Sequence, residues 1–93
     1  MRLTIVPSDG AVIIDKFGIS GLDLSFMPSN VHAVQWYDTF GEVETVNEYG
    51  KPVANVPITE LDANHLQAVS LWETAKAEYE ARMVAANSEP KEV

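Results

Sequence analysis

The chain has no cysteine, only two histidines, and six lysines and arginines against fourteen acids. Each shortage removes a class of chemistry. Without cysteine there can be no disulfide, thiol nucleophile or thiolate metal site. The formal charge of −8 disfavours nucleic acid, whose phosphates need clustered Lys and Arg, and it disfavours anionic membrane surfaces. No apolar run approaches the roughly 18 residues of a membrane span. The opening MRLTIVPSDG breaks at Pro7 after a very short apolar stretch, which does not make a signal peptide. The expectation is a soluble protein, not independently secreted, with neither nucleic acid nor membrane as partner.

Reactive constellations are equally scarce. His32 and His65 fall in no HxxxH, HExxH or HxH spacing, so no metal site is expected. No serine lies in a GxSxG elbow. Gly18 and Gly21 lack the lysine of a phosphate loop, and Asp9, Asp15 and Asp23 do not follow the calcium-loop pattern. Glu42 with Glu44, and Glu78 with Glu80, are carboxylate pairs. Acid–base work needs a desolvated pocket that splits their pKa values, and an exposed hairpin offers none. The expectation is therefore no enzyme, no catalytic residue, no cofactor and no metal.

What remains is pattern. Ninety-three residues, 46% of them hydrophobic, make one domain with a thin core. RLTIVP (2–7) and AVIIDK (11–16) are short and β-branched, and Ser8-Asp9-Gly10 between them predicts a hairpin turn with glycine at positive φ. Phe17 to Gly21 reads as a second turn. In GLDLSF (21–26), Leu22, Leu24 and Phe26 alternate with Asp23 and Ser25, as in a half-buried strand or extended segment. VHAVQWY (31–37) and EVETVNE (42–48) predict a further pair joined by 38–41, with Trp36 opposite Val43. That register puts Val34, Trp36, Val43 and Thr45 on a core face, and Ala33, Gln35, Tyr37, Glu42 and Glu44 on a wet face. YGKP (49–52) is a turn. VANVP (53–57) fits an edge strand because Pro57 cannot donate to a central ladder.

From Ile58 the composition changes to Ala, Glu, Leu and Lys. Thr59 is a plausible N-cap with Asn64 a competing start, and Glu60 and Asp62 would occupy the first turn. Leu61, His65, Ala68, Val69, Trp72, Ala75, Tyr79 and Met83 form one helical stripe, and Glu78 with Arg82 an i,i+4 pair. A helix of about 25 residues is roughly 38 Å long, whereas five strands span roughly 20–25 Å. The helix should overhang its sheet, and an exposed aromatic stripe usually marks an interface. The organisation is then an α+β domain: a β-meander of four or five short strands over 1–57, one long helix over 58–87, and a polar tail over 88–93.

The aromatics are the candidate binding residues. Trp36 reads as core. Tyr37, Phe40 and Tyr49 read as surface, and Trp72, Tyr79 and Met83 as the overhanging stripe. Self-association through the helix at micromolar concentration is expected, as is capture of a protein partner through Tyr37, Phe40, Trp72, Tyr79 and Met83.

The order TIVPSDGAVIID, then SGLDLSFMPSNVHAVQWYDTFGEVE, then GKPVANVPITEL and an Ala/Glu-rich helix resembles small proteins of tailed phages and prophages encoded beside tail or tail-fibre genes. The resembling block is residues 3–60. The resemblance implies a role in the phage tail or in assembling its fibres, with a tail or tail-fibre protein as partner. It implies a place in the host cytoplasm during assembly or in the virion tail, and it carries no catalytic residues. The rival expectation is an acidic inhibitor of a host defence or nucleic-acid-binding protein. Glu42 and Glu44 would then imitate phosphates.

Overall fold

The computed structural model describes residues 1–88, with side chains to residue 85; of the expected tail over 88–93, all but Ser88 lies outside the described residues. The elements are β1 (Arg2–Val6), β2 (Ala11–Ile14), β3 (Phe17–Ile19), β4 (Val31–Tyr37), β5 (Gly41–Thr45), β6 (Val56–Ile58) and α1 (Ala63–Ser88). All pairings are antiparallel, in the order β3-β2-β1-β4-β5-β6. The α+β class holds, with six strands instead of four or five. Two three-stranded meanders are joined along β1 and β4, so the first strand of the chain lies inside the sheet.

The first meander turns at two residues that carry no ordinary turn signal. β2 stops at Ile14, Asp15 and Lys16 both take positive φ (49° and 77°), and β3 occupies part of the region expected as a turn. Two such residues match the twist of a hairpin, although Asn-Gly is the usual pair there. Asp15 accepts the backbone N–H of Arg2 at 2.9 Å, and its own N–H donates to the Arg2 carbonyl at 3.0 Å. These two bonds to β1 hold the turn in place of a glycine.

Residues 21–30 form no strand, which corrects the expected third strand at 21–26. They cross the core face from edge strand β3 to β4. Leu24 and Met27 are buried, Leu22 and Phe26 half-buried, and Asp23 and Ser25 exposed. The alternation was one of burial, without a ladder. Asp23 turns the chain by accepting the Ser25 N–H at 3.1 Å. Hydrogen bonding from the Ser25 side chain first, and from its backbone N–H second, holds the Asp23 carboxyl below its usual pKa. The crossing is fixed to the first turn by the Leu22 N–H, which donates to the Gly10 carbonyl at 3.0 Å.

The core lies on one face of the sheet. Leu3, Ile5, Val12 and Val34 are fully enclosed, and Ile14, Trp36, Leu24, Met27, Ala68 and Trp72 complete it. Each enclosed aliphatic side chain contributes about 1.5–3 kcal/mol. β4 and β5 pair two residues out from the expected register: Trp36 faces Gly41 and Val34 faces Val43. An even shift leaves side chains on the same faces, so the core and wet sets survive. Gly41 is needed because a Cβ there would lie 2.2 Å from the Gln35 carbonyl oxygen and 3.1 Å from the Trp36 ring. Ala33 departs from expectation. It is buried on the wet face beside the irregularity between Val31 and Ala33.

The helix begins at Ala63, not at Thr59. Asp62 caps it: its Oδ1 accepts the His65 N–H at 2.9 Å, and His65 Nδ1 accepts the Asp62 N–H at 3.2 Å. This reciprocal pair is a capping box with histidine in the place usually held by Glu or Gln. Glu60 and Asp62 therefore precede the first turn. The ion pair on α1 is Lys76–Glu80 at 2.9 Å, and among the described residues Glu78 and Arg82 form none with each other.

Two predictions follow from these contacts. Gly10 has φ +59°, and a Cβ there would lie 2.5 Å from the Leu22 carbonyl oxygen. Gly10→Ala should lower unfolding free energy by about 2 kcal/mol or more, through left-handed strain plus a clash with backbone. Urea denaturation checks this, and an unchanged midpoint would refute it. Burial holds the His65 pKa below its ordinary value of 6.5, against a smaller upward pull from Asp62. An imidazole depressed in the folded state contributes stability above the unfolded pKa and loses it as pH falls through the folded one. The His65 contribution should thus be level between pH 8 and 7 and fall below about pH 6.5. His65→Gln, which keeps an acceptor for the cap, should lack the fall in that interval.

Candidate functional site

Two surfaces collect the residues expected to bind a partner, and they lie on opposite faces of the sheet. The first is the tip of the β4–β5 hairpin on the wet face. The Tyr37 N–H donates to the Phe40 carbonyl at 2.7 Å, so only Asp38 and Thr39 lie outside the ladder, with Asp38 at φ 76°. This tightens the expected four-residue loop and sets Tyr37 and Phe40 side by side. Their rings stack at 5.4 Å between centroids with 25° between planes. Both are exposed, at 40% and 56%.

The Arg2 guanidinium lies 4.2 Å from the Tyr37 ring centroid on β1, the neighbouring strand. Its NH2 donates to Gln35 Oε1 at 2.9 Å and its NH1 to the Leu3 and Trp36 carbonyls at 2.8 and 3.2 Å. Thr4 Oγ1 donates to the same Gln35 oxygen, and Gln35 Nε2 donates to Glu44 Oε2 at 3.2 Å. Cation–π contact and the hydrogen bonds of its two terminal nitrogens hold the guanidinium against the ring. Below the stack, the Met1 ammonium donates to Asp38 Oδ1 at 2.8 Å. That hydrogen bond and the paired charges raise the ammonium pKa and lower that of the carboxyl. The hairpin tip is thus a pre-formed aromatic platform with a cation beneath it.

The second surface is on the core face, where α1 passes over the β3 edge. Trp72 is the pivot. Its Nε1–H donates to the Phe17 carbonyl at 2.9 Å, and its ring meets Phe17 edge-on, at 6.0 Å and 87°. At 9% exposure it belongs to the core, which corrects its expected place on the exposed stripe. Tyr79 packs on the other side of Phe17, at 5.7 Å and 67°, and stays 44% exposed. Lys76 Nζ sits 5.6 Å from both the Phe17 and Trp72 centroids. Beyond Lys76 every described side chain of the helix is exposed, Met83 at 44% and Val84 at 65%. The helix thus continues twelve residues (77–88) past Lys76, about 18 Å at 1.5 Å per residue, with Tyr79 resting on Phe17 in the first turn of this stretch. In the angle between β3 and the helix lies a groove of about 460 Å³, lined by Gly18, Ile19 and Leu22 on one side and Ala75, Glu78, Tyr79 and Arg82 on the other.

The other sequence candidates stand apart. Glu42 is exposed and accepts from Asn55 Nδ2 at 3.2 Å. Glu44 is half-buried and tied to Gln35. Tyr49, 78% exposed, sits in the 47–51 turn that Asn47 Oδ1 organises by accepting the Tyr49 and Lys51 N–H groups. His32 is exposed and His65 is committed to its cap. Among the described residues no group of three His, Asp or Glu is arranged to hold a metal, and no helix is long and apolar enough to cross a membrane. Sequence reading missed Arg2, because nothing local says that a strand formed 30 residues later will bring a tyrosine beneath its guanidinium. It also missed Phe17, read as a turn residue.

Comparison with family models, with curated proteins and with solved structures finds nothing that matches this chain.

The Trp72 contact gives a direct test. Trp72→Phe keeps a ring and loses the N–H, so it should destabilise by about 1–2 kcal/mol, from one hydrogen bond and some packing. Tyr79 fluorescence or amide exchange at Ala75–Arg82 should report loosening of the overhang before global unfolding. Equal protection in variant and parent would contradict the anchoring role.

Proposed function

We propose that this chain is a non-enzymatic binding protein of the phage tail region, acting by protein–protein contact as a tail-fibre assembly factor or small tail component. The observation that carries the binding role is the exposed Tyr37–Phe40 stack, held rigid by the hairpin and by Arg2. Aromatic rings fixed in place before binding lose little entropy when covered, and tyrosine and arginine are enriched among residues that dominate interfaces. The phage setting rests on the sequence resemblance over residues 3–60. A chaperone for trimeric fibres would cover apolar surface on an immature fibre with this platform until assembly is complete.

The acidic-inhibitor reading has less support. A phosphate mimic needs carboxylates aimed outward and free to meet a basic groove. Glu44 is half-buried, and both Glu42 and Glu44 already accept from side-chain amides.

Co-expression with the tail-fibre protein encoded in the same genome, followed by affinity capture at about 0.15 and 0.5 M salt, tests the proposal. The fibre should be retained at both. Tyr37→Ser/Phe40→Ser should reduce capture at least tenfold while changing stability little, since both rings are exposed. Failure of the parent chain to retain the fibre would sink the tail role. A host protein retained at low salt, released at high salt and lost with Glu42→Gln/Glu44→Gln would establish the inhibitor instead.

A further inference from the structure

The groove beside β3 and the exposed face of α1 around Glu78–Met83 meet at one corner of the fold. We infer that a second copy of this chain occupies them, as a two-fold pair in which the overhanging helices run antiparallel and each fills the groove of the other. The inference goes beyond the fibre-binding reading and does not depend on it, because the surface lies on the other face of the sheet from Tyr37 and Phe40.

Self-complementarity selects the occupant. Glu78 and Arg82 both line the groove, one helical turn apart, and form no ion pair with each other. Lys76 and Glu80 neutralise one another within the chain. The free charges facing the groove are therefore one acid and one base on one helix face. An antiparallel pair centred near residue 80 brings Glu78 of each copy opposite Arg82 of the other, twice by symmetry. An isologous interface requires this reciprocity, in which residue i meets j and j meets i.

The apolar parts agree with the charges. The same register runs Tyr79 and Met83 of one helix along the 77–83 stretch of the other, beside Ile19 and Leu22 at the groove wall. Gly18 has no side chain to block the approach. β3 has only three residues, so the strand edge adds little main-chain pairing, and the helices must carry the contact. The chain's charge of −8 opposes association at long range. At about 0.15 M salt that repulsion is screened beyond roughly 8 Å, while ion pairs in contact persist.

Analytical ultracentrifugation of the full chain from 1 to 200 μM at that salt is the experiment, with circular dichroism to verify folding of each variant. The parent chain should populate a dimer within this range. Glu78→Arg and Arg82→Glu, each at an exposed position, should separately weaken dimerisation about tenfold or more by setting like charges opposite each other. The double variant Glu78→Arg/Arg82→Glu should restore it, which is expected only when both members of the pair come from copies of one chain. Tyr37→Ser/Phe40→Ser should leave it unchanged. A parent chain monomeric at 200 μM overturns the inference. So do single reversals without effect, or a double variant no better than the singles. Loss of fibre capture with dimerisation intact, or the reverse, separates this inference from the proposed function.

Discussion

The whole corner where α1 crosses β3 depends on one hydrogen bond from an indole to a backbone carbonyl. Trp72 fills the last gap in the core, and its N–H has to be satisfied there, because an unpaired buried donor costs about 1–3 kcal/mol. The Phe17 carbonyl on edge strand β3 satisfies it. The bond fixes where α1 crosses the edge of the sheet, and hence where the helix ceases to be sheltered. Lys76 and Tyr79 follow one and two turns later, clasping Phe17 from outside. The groove and the overhang both result from this single crossing point.

The two faces of the sheet are built by different physics. On the core face, aliphatic side chains from β1, β2 and β4 meet the first half of α1 and the 21–30 crossing. On the other face, Arg2, Thr4, Gln35 and Glu44 form a connected line of hydrogen bonds across β1, β4 and β5. It ends in the aromatic stack at the hairpin tip. Such a network specifies register and side-chain geometry more than it adds net stability. Its yield is a pair of rings that are exposed yet already stacked on each other.

Legibility varied with the kind of signal. Periodicity found the first hairpin, β4, the edge position of Pro57 and the long helix, because each is set by local sequence. It also separated the two faces of β4 and β5, since a register error of two residues preserves alternation. The Asp15-Lys16 turn was illegible because neither residue advertises positive φ, and its support comes from Arg2 on another strand. The 21–26 segment looked like a strand because a chain lying across a core alternates its burial as a strand does. The helix start was displaced by three residues because Thr59 and Asp62 are both good caps, and only the return bond from His65 distinguishes them. For the surface, exposure of Tyr37, Phe40, Tyr79 and Met83 was readable from position. The burial of Trp72 was not, because it depends on where an edge carbonyl falls in space.

The interior place of β1 has a kinetic meaning. β2 and β3 fold back onto it through short turns, which close in microseconds. Its other side must wait for a partner some thirty residues downstream, at a greater cost in chain entropy. Until β4 pairs with it, that edge of β1 presents a row of unpaired backbone N–H and C=O groups. The 21–30 crossing spans that gap, so its tether to Gly10 shortens the search. The β1–β4 seam is therefore the most non-local strand pairing that this sheet has to make.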